Sequence, residues 1–204
     1  MASSDTEIAN LALAHLGVAK EIANLETENS QEARTMRRLW DTALDEMVRA
    51  FPWPFLAKIG TLTLDEEDPN EEWAYSYVYP TDCAAFRRIL SGARTDTRQS
   101  KIPYRIISDG DGGRLILTDE EDAQGEWTIR ASDDVTSWTA DFVQAFSLKL
   151  AFLAAPQLTA GDPFGLGRRA AQLYEIAMSR AAGTAANEEQ PDEEPESEFD
   201  RARD

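Results

Sequence analysis

Between Ala33 and Phe51 the apolar residues Ala33, Met36, Trp40, Ala43, Leu44, Met47 and Phe51 recur at spacings of three and four, and Pro52 follows at once. That spacing gathers them on one face of an α-helix. Arg34, Arg38, Asp41, Asp45 and Arg49 fall on the opposite face. Asn29 or Ser30 can accept from the first free amides, and Glu32 brings negative charge to the positive end of the helix. Pro52 stops it, because proline has no amide hydrogen and its ring clashes with the preceding turn. The next residues, Phe51-Pro52-Trp53-Pro54-Phe55, form a stiff aromatic corner that belongs in a core.

Further helices follow from the same reasoning. Ile8, Leu11, Ala12 and Leu16 predict a first helix over 5–16, capped by Ser4 or Asp5 and stopped by Gly17. Phe142, Ala145, Phe146, Lys149, Leu150 and Leu153 predict a third, closed by Pro156. Asp162-Pro163 starts a fourth, with Leu166, Ala170, Leu173, Ala177, Met178 and Ala181 along it. From about residue 57 to 132 the period changes to two, most clearly in Trp73, Tyr75, Tyr77 and Tyr79 set against Ala74, Ser76 and Val78. Asp109-Gly110-Asp111-Gly112-Gly113 sits between two such runs and reads as a hairpin turn. The expectation is an α+β fold: a four-helix bundle with an antiparallel β insertion between helices 2 and 3. Residues 1–56 would supply helices 1 and 2, 57–135 the β unit, and 136–186 helices 3 and 4. Residues 187–204 are dense in Glu and Asp and would form an extended acidic C-terminal tail, with Phe199 its one large apolar residue.

The chemistry that these residues permit is narrow. A single cysteine, Cys83, rules out an intrachain disulfide or a cysteine-based zinc site within one chain. A Ser-His-Asp or Cys-His site would have to use His15, the only histidine, which the periodicity puts on the flank of a helix. Asp109, Asp111 and Glu120 match the first, third and twelfth positions of a calcium loop, but Arg114 stands where that loop needs glycine. The acidic runs Asp65 to Asp68 and Glu120 to Asp122 could serve carboxylate-based glycan cleavage, or simply be solvated. There is no Walker loop or dinucleotide fingerprint, so the expectation is no enzyme and no cofactor or metal. No apolar run reaches the length of a membrane span, and the N-terminus lacks the basic start and apolar stretch of a signal peptide, so the chain reads as a cytoplasmic product. The net charge of -18 opposes binding to nucleic-acid phosphates. It suits a surface past which DNA slides, or an acidic DNA mimic that fills a basic site, and it also serves plain solubility.

Taken in order, five stretches resemble the tail tubular protein A family, the head-to-tail adaptors of short-tailed bacteriophages. They are Ile8-Ala9-Asn10-Leu11-Ala12-Leu13-Ala14-His15-Leu16-Gly17, Glu32-Ala33-Arg34 opening a long helix, and Phe51-Pro52-Trp53-Pro54-Phe55. The fourth is Tyr79-Pro80-Thr81-Asp82-Cys83, and the fifth runs from Phe142 to Ala155. The resemblance spans about residues 5 to 183. It implies a virion protein of the tail or neck, made in the host cytoplasm, that forms a ring of twelve subunits beneath the portal protein. The genome would pass through the lumen without specific binding. The C-terminal extension would reach the portal, and the β part would face a tail nozzle or other tail protein. On that reading Phe199, Arg201 and Arg203 are the candidate portal-binding residues, an apolar anchor beside two cations that could pair with acidic groups.

Overall fold

A computed structural model of the chain describes residues 4–92, 100–130 and 135–188. It contains four α-helices: α1 (Asp5–His15), α2 (Gln31–Ala50), α3 (Ala140–Leu158) and α4 (Leu166–Ala186). Seven strands lie between α2 and α3 among the described residues: β1 (Ala57–Thr61), β2 (Thr63–Asn70), β3 (Trp73–Val78), β4 (Cys83–Ile89), β5 (Arg105–Ser108), β6 (Arg114–Thr118) and β7 (Gln124–Ile129). The chain divides into two compact units. One holds the helices with Pro80–Arg87 and the stretch that begins at Glu126; the other holds Gly60–Tyr79 and Arg88–Gly125.

The expected four-helix bundle with a single β insertion is not what forms. The strands make two antiparallel sheets, one ordered β1-β7-β4 and one ordered β2-β3-β6-β5. The helices are not arranged as a bundle either: α1, α2 and α4 each pack chiefly on α3. The reason lies in α3. From Ala145 to Ala151 every residue is buried, including Ser147 and Lys149, and so are Phe142, Val143, Ala154 and Ala155. A segment buried on every side, as α3 is over 145–151, is enclosed by several neighbours, whereas a bundle helix needs only one buried stripe. Lys149 tolerates this site (7% exposed) because its Nζ lies 2.5 Å from Glu46 Oε2 on α2 and 5.1 Å from the Tyr174 ring centre on α4. Pro156 lies inside α3, which continues to Leu158. Helix α4 then crosses α3 closely at Gly167, where an added Cβ would meet the Ala155 Cβ at 2.5 Å.

Caps and register follow from local chemistry. Ser4 Oγ accepts from Glu7 N (3.2 Å) at the start of α1, and Ser30 Oγ accepts from Ala33 N (3.2 Å) at the start of α2. The buried face of α1 is Ile8, Ala9, Ala12 and Leu13; of the expected stripe, Ile8, Ala12 and Leu16 are buried, while Leu11 is 39% exposed and Leu13 takes its place in the core. After α2 the aromatic corner folds inward. Trp53 Nε1 donates to the Met47 carbonyl (2.9 Å), and its ring meets Phe142 edge to face at 4.9 Å. Trp138 also packs edge to face on Phe142, at 5.1 Å. Arg87 on β4 closes the end of α2, donating to the carbonyls of Val48 (3.1 Å) and Phe51 (2.9 Å) while its Nε donates to Thr128 Oγ1 on β7 (2.8 Å). A guanidinium at a helix C-terminus satisfies orphan carbonyls and opposes the negative end of the helix dipole.

In the four-stranded sheet Leu64, Tyr77, Ile116 and Ile106 form one cross-strand row. The acidic stretch Asp65 to Glu67 lies on the edge strand β2 and is exposed. Charge on an edge strand discourages pairing with other chains.

Candidate functional site

The motifs quoted for the resemblance turn out to hold the scaffold together. Asn10 pairs with the backbone of Ile22 in both directions: Nδ2 donates to its carbonyl (2.9 Å) and Oδ1 accepts from its amide (2.8 Å). Thr6 Oγ1 accepts from Leu25 N (2.9 Å). The Arg37 guanidinium donates to the carbonyls of Leu25, Glu26 and Glu28. Together these side chains tie the long α1–α2 connection down without any secondary structure of its own. Asp82, in the fourth motif, accepts from Lys58 Nζ (2.6 Å) and from Trp127 Nε1 (3.1 Å), joining the region of β1, β4 and β7.

The chemical candidates resolve into structural roles. Ser147 Oγ gives its proton to the Gln144 carbonyl (2.9 Å), so His15 Nε2, 3.3 Å from that oxygen, is left as the donor to it. That is the reverse of a histidine acting as base toward a serine nucleophile. Burial holds the His15 pKa below its ordinary value and favours the neutral ring. Asp109 Oδ1 accepts from Asp111 N (2.9 Å) and Gly113 N (2.8 Å), closing the β5–β6 hairpin rather than a cation loop. Gly110 and Gly112 supply the positive φ, 90° and 94°, that the turn requires. Among the described residues no group of three or more His, Cys, Asp or Glu side chains is placed to hold a metal ion. Glu28, Glu32 and Asp82 all sit below the usual carboxylate range, chiefly through the Ser30 hydroxyl, the Lys20 ammonium and the Lys58 ammonium respectively. Among the described residues no helix is long and apolar enough to cross a membrane.

Two surface features share one end of the helical unit. The first is an open cleft of about 630 Å³ lined by Gln31, Arg34, Thr35, Arg38 and Gln157. Gln157 organises it: its carbonyl accepts from Gln31 Nε2 (3.1 Å), and its side-chain oxygen accepts from Arg38 and from Thr35 Oγ1 (3.4 Å). The second is the loop from Thr159 to Gly165 that joins α3 to α4. Ala160 and Asp162 adopt positive φ (53° and 63°), as do Gly161 and Gly165. For the two non-glycine residues that conformation costs about 1 kcal/mol each. The loop holds it through Gly161 N to Pro156 O (2.9 Å) and Gly165 N to Asp162 O (3.1 Å). The Asp162 carboxylate accepts from Gly167 N (3.0 Å) and Arg168 N (3.3 Å). On this pinned backbone Phe164 stands 86% exposed.

The candidate portal-binding residues Phe199, Arg201 and Arg203 lie outside the described residues. Sequence reasoning missed Phe164, although an apolar residue between Pro163 and Gly165 is itself a signal. Compared with protein-family models and with curated proteins, the chain matches none.

Proposed function

We propose that this protein is a structural head-to-tail adaptor of a tailed bacteriophage, a ring subunit between the portal and the tail through which DNA passes. The observation that carries a binding role is the α3–α4 loop, whose strained and pinned backbone holds Phe164 out in water. An exposed aromatic on a mobile loop would lose more entropy on docking. An aromatic side chain on a preorganised backbone, by contrast, loses little entropy on docking and can act as an interface anchor. The five motifs in family order support the adaptor assignment, because Asn10, the α2 start, the aromatic corner, Asp82 and α3 all hold the same scaffold together. The charge of -18 supports a lumen that releases DNA.

Co-sedimentation with purified portal rings of the same phage tests the reading. The wild-type chain pellets with the rings. Phe164→Ala weakens docking about 30-fold if its ring is an anchor of about 2 kcal/mol. Phe199→Ala and the pair Arg201→Glu with Arg203→Glu act similarly if the C-terminal segment also grips the portal, and the charge pair adds salt dependence. A wild-type chain that stays in the supernatant with intact rings contradicts the adaptor assignment.

A further inference from the structure

Helix α4 carries apolar surface that its own packing does not cover. Its core face is Gly167, Ala170, Ala181 and Ala185, with Tyr174 and Ala177 packed beside them. On the flank of that face a second stripe, Arg169, Leu173, Ile176 and Arg180, is exposed to water, Leu173 at 39% and Ile176 at 50%. Spacings of four, three and four are those of a heptad seam, so the four side chains follow one line along the helix. Apolar residues scattered singly on a surface need no explanation. Here two stand one turn apart, and a cation closes the line at each end. Arg169 and Leu173 also form one wall of a hollow of about 240 Å³, completed by Ala170, by Ala14 and His15 of α1 and by Leu148 of α3. Of the four helices described, α4 is the one whose basic residues outnumber its acidic ones, three arginines against Glu175, in a chain with 38 acidic and 20 basic residues.

We infer that this stripe docks an amphipathic helix of a partner protein, one that presents two apolar residues between two carboxylates at the same spacing. The apolar pair supplies the contact, and the end arginines fix register and the sign of the partner. From Arg169 to Arg180 the line runs about 16 Å, so the partner helix needs three turns or more. The hollow beside Arg169 leaves room for a carboxylate to reach its guanidinium. A second copy of α4 is refused in either direction. Antiparallel pairing sets the arginine at one end against the arginine at the other, and parallel pairing sets each arginine against itself. Helix α1 of a second copy fits no better: its exposed Leu11 follows Glu7 by one turn, but Ala14 comes next on that line and the helix ends at His15. The occupant is therefore a different protein with an acidic amphipathic helix. The inference does not rest on the adaptor assignment, and a chain that fails to dock on portal rings leaves it untouched.

Fluorescence anisotropy with the full chain and two synthetic peptides tests it. Both peptides are alanine-rich helices of about 20 residues. Each carries two leucines three positions apart; one has glutamate four positions outside each leucine, and the other has lysine there. The wild-type chain is expected to bind the glutamate peptide at least about fivefold more tightly than the lysine peptide at low salt, and to lose most of that difference at about 1 M salt. Arg169→Glu with Arg180→Glu is expected to reverse the preference. Leu173→Gln with Ile176→Gln is expected to weaken both peptides at least about tenfold, since the apolar contact is common to them. All four positions are exposed, and thermal melts matching wild type show each variant folded. A wild-type chain that does not bind the glutamate peptide at about 1 mM overturns the proposal, as does a preference that survives the arginine reversal. So does a wild-type chain that sediments as a dimer which Leu173→Gln with Ile176→Gln converts to monomer, because the stripe then belongs to a second copy.

Discussion

Replacing Arg87 by methionine removes a guanidinium that serves two elements at once. Its two best bonds to α2 are those to the carbonyls of Val48 (3.1 Å) and Phe51 (2.9 Å), and its Nε bonds the buried Thr128 hydroxyl (2.8 Å). A hydrogen bond to a charged group contributes about 1.5 kcal/mol net. The carbonyls at the end of α2 regain some water in the variant, whereas Thr128, 1% exposed, does not. Counting the Thr128 bond in full and the two partly rehydrated carbonyls together as about one more puts the loss at about 3 kcal/mol. For a chain of this size that is a fall in Tm of roughly 6 to 12 °C. Arg87→Lys should recover less than half, since an ammonium cannot span both carbonyls and the hydroxyl in one plane. Adding Thr128→Val to Arg87→Met should restore part of the loss by removing the orphaned group. Urea unfolding followed by tryptophan fluorescence measures each step. A loss below about 1 kcal/mol for Arg87→Met, or full recovery by lysine, would refute the capping role.

Three further outcomes follow from the same geometry. Thermal melts in calcium and in chelator should coincide, because Asp109 is engaged with the amides of Asp111 and Gly113; an upward shift with calcium would revive the cation loop. Asp82 is held below the usual carboxylate range, first by the Lys58 hydrogen bond, so the stability it contributes is fully present above the unfolded aspartate value of about 3.9 and drains as pH falls through the lower folded value. Asp82→Asn should therefore flatten the acid limb of the stability profile, and an unchanged limb in pH-dependent urea titrations would count against the Lys58 contact. The isolated protein should elute as a monomer at low salt, since subunits of charge -18 repel without a template; a stable ring seen by light scattering without portal would contradict this.

Helix α2 was legible in sequence because its signals are local: a serine cap, a one-sided stripe and a terminating proline. The hairpin at Asp109 to Gly113 was legible for the same reason. In α1 the stripe was legible except that Leu13, not Leu11, is buried, because leucines at 11 and 13 flank it on opposite sides and only packing decides between them. The central place of α3 was hidden because Lys149 and Ser147 break its apolar surface, and their partners Glu46, Tyr174 and His15 lie far away in sequence. Period-two alternation marked strands but says nothing of their partners. The β1-β7-β4 sheet joins segments more than thirty residues apart, which no local pattern encodes. The Arg34 and Arg38 cleft was invisible for a related reason. In sequence both are ordinary residues of a polar face, and Gln157, which completes the cleft, comes from the far end of α3.

The central claim, that this chain is a ring subunit docked on a portal, is tested most directly by electron microscopy of the purified protein mixed with portal rings. The account predicts a second ring of twelve copies, coaxial with the portal and open along its axis, that appears only when portal is present. Portal rings that remain bare at saturating protein, or a bound chain that forms no ring around the axis, would contradict it.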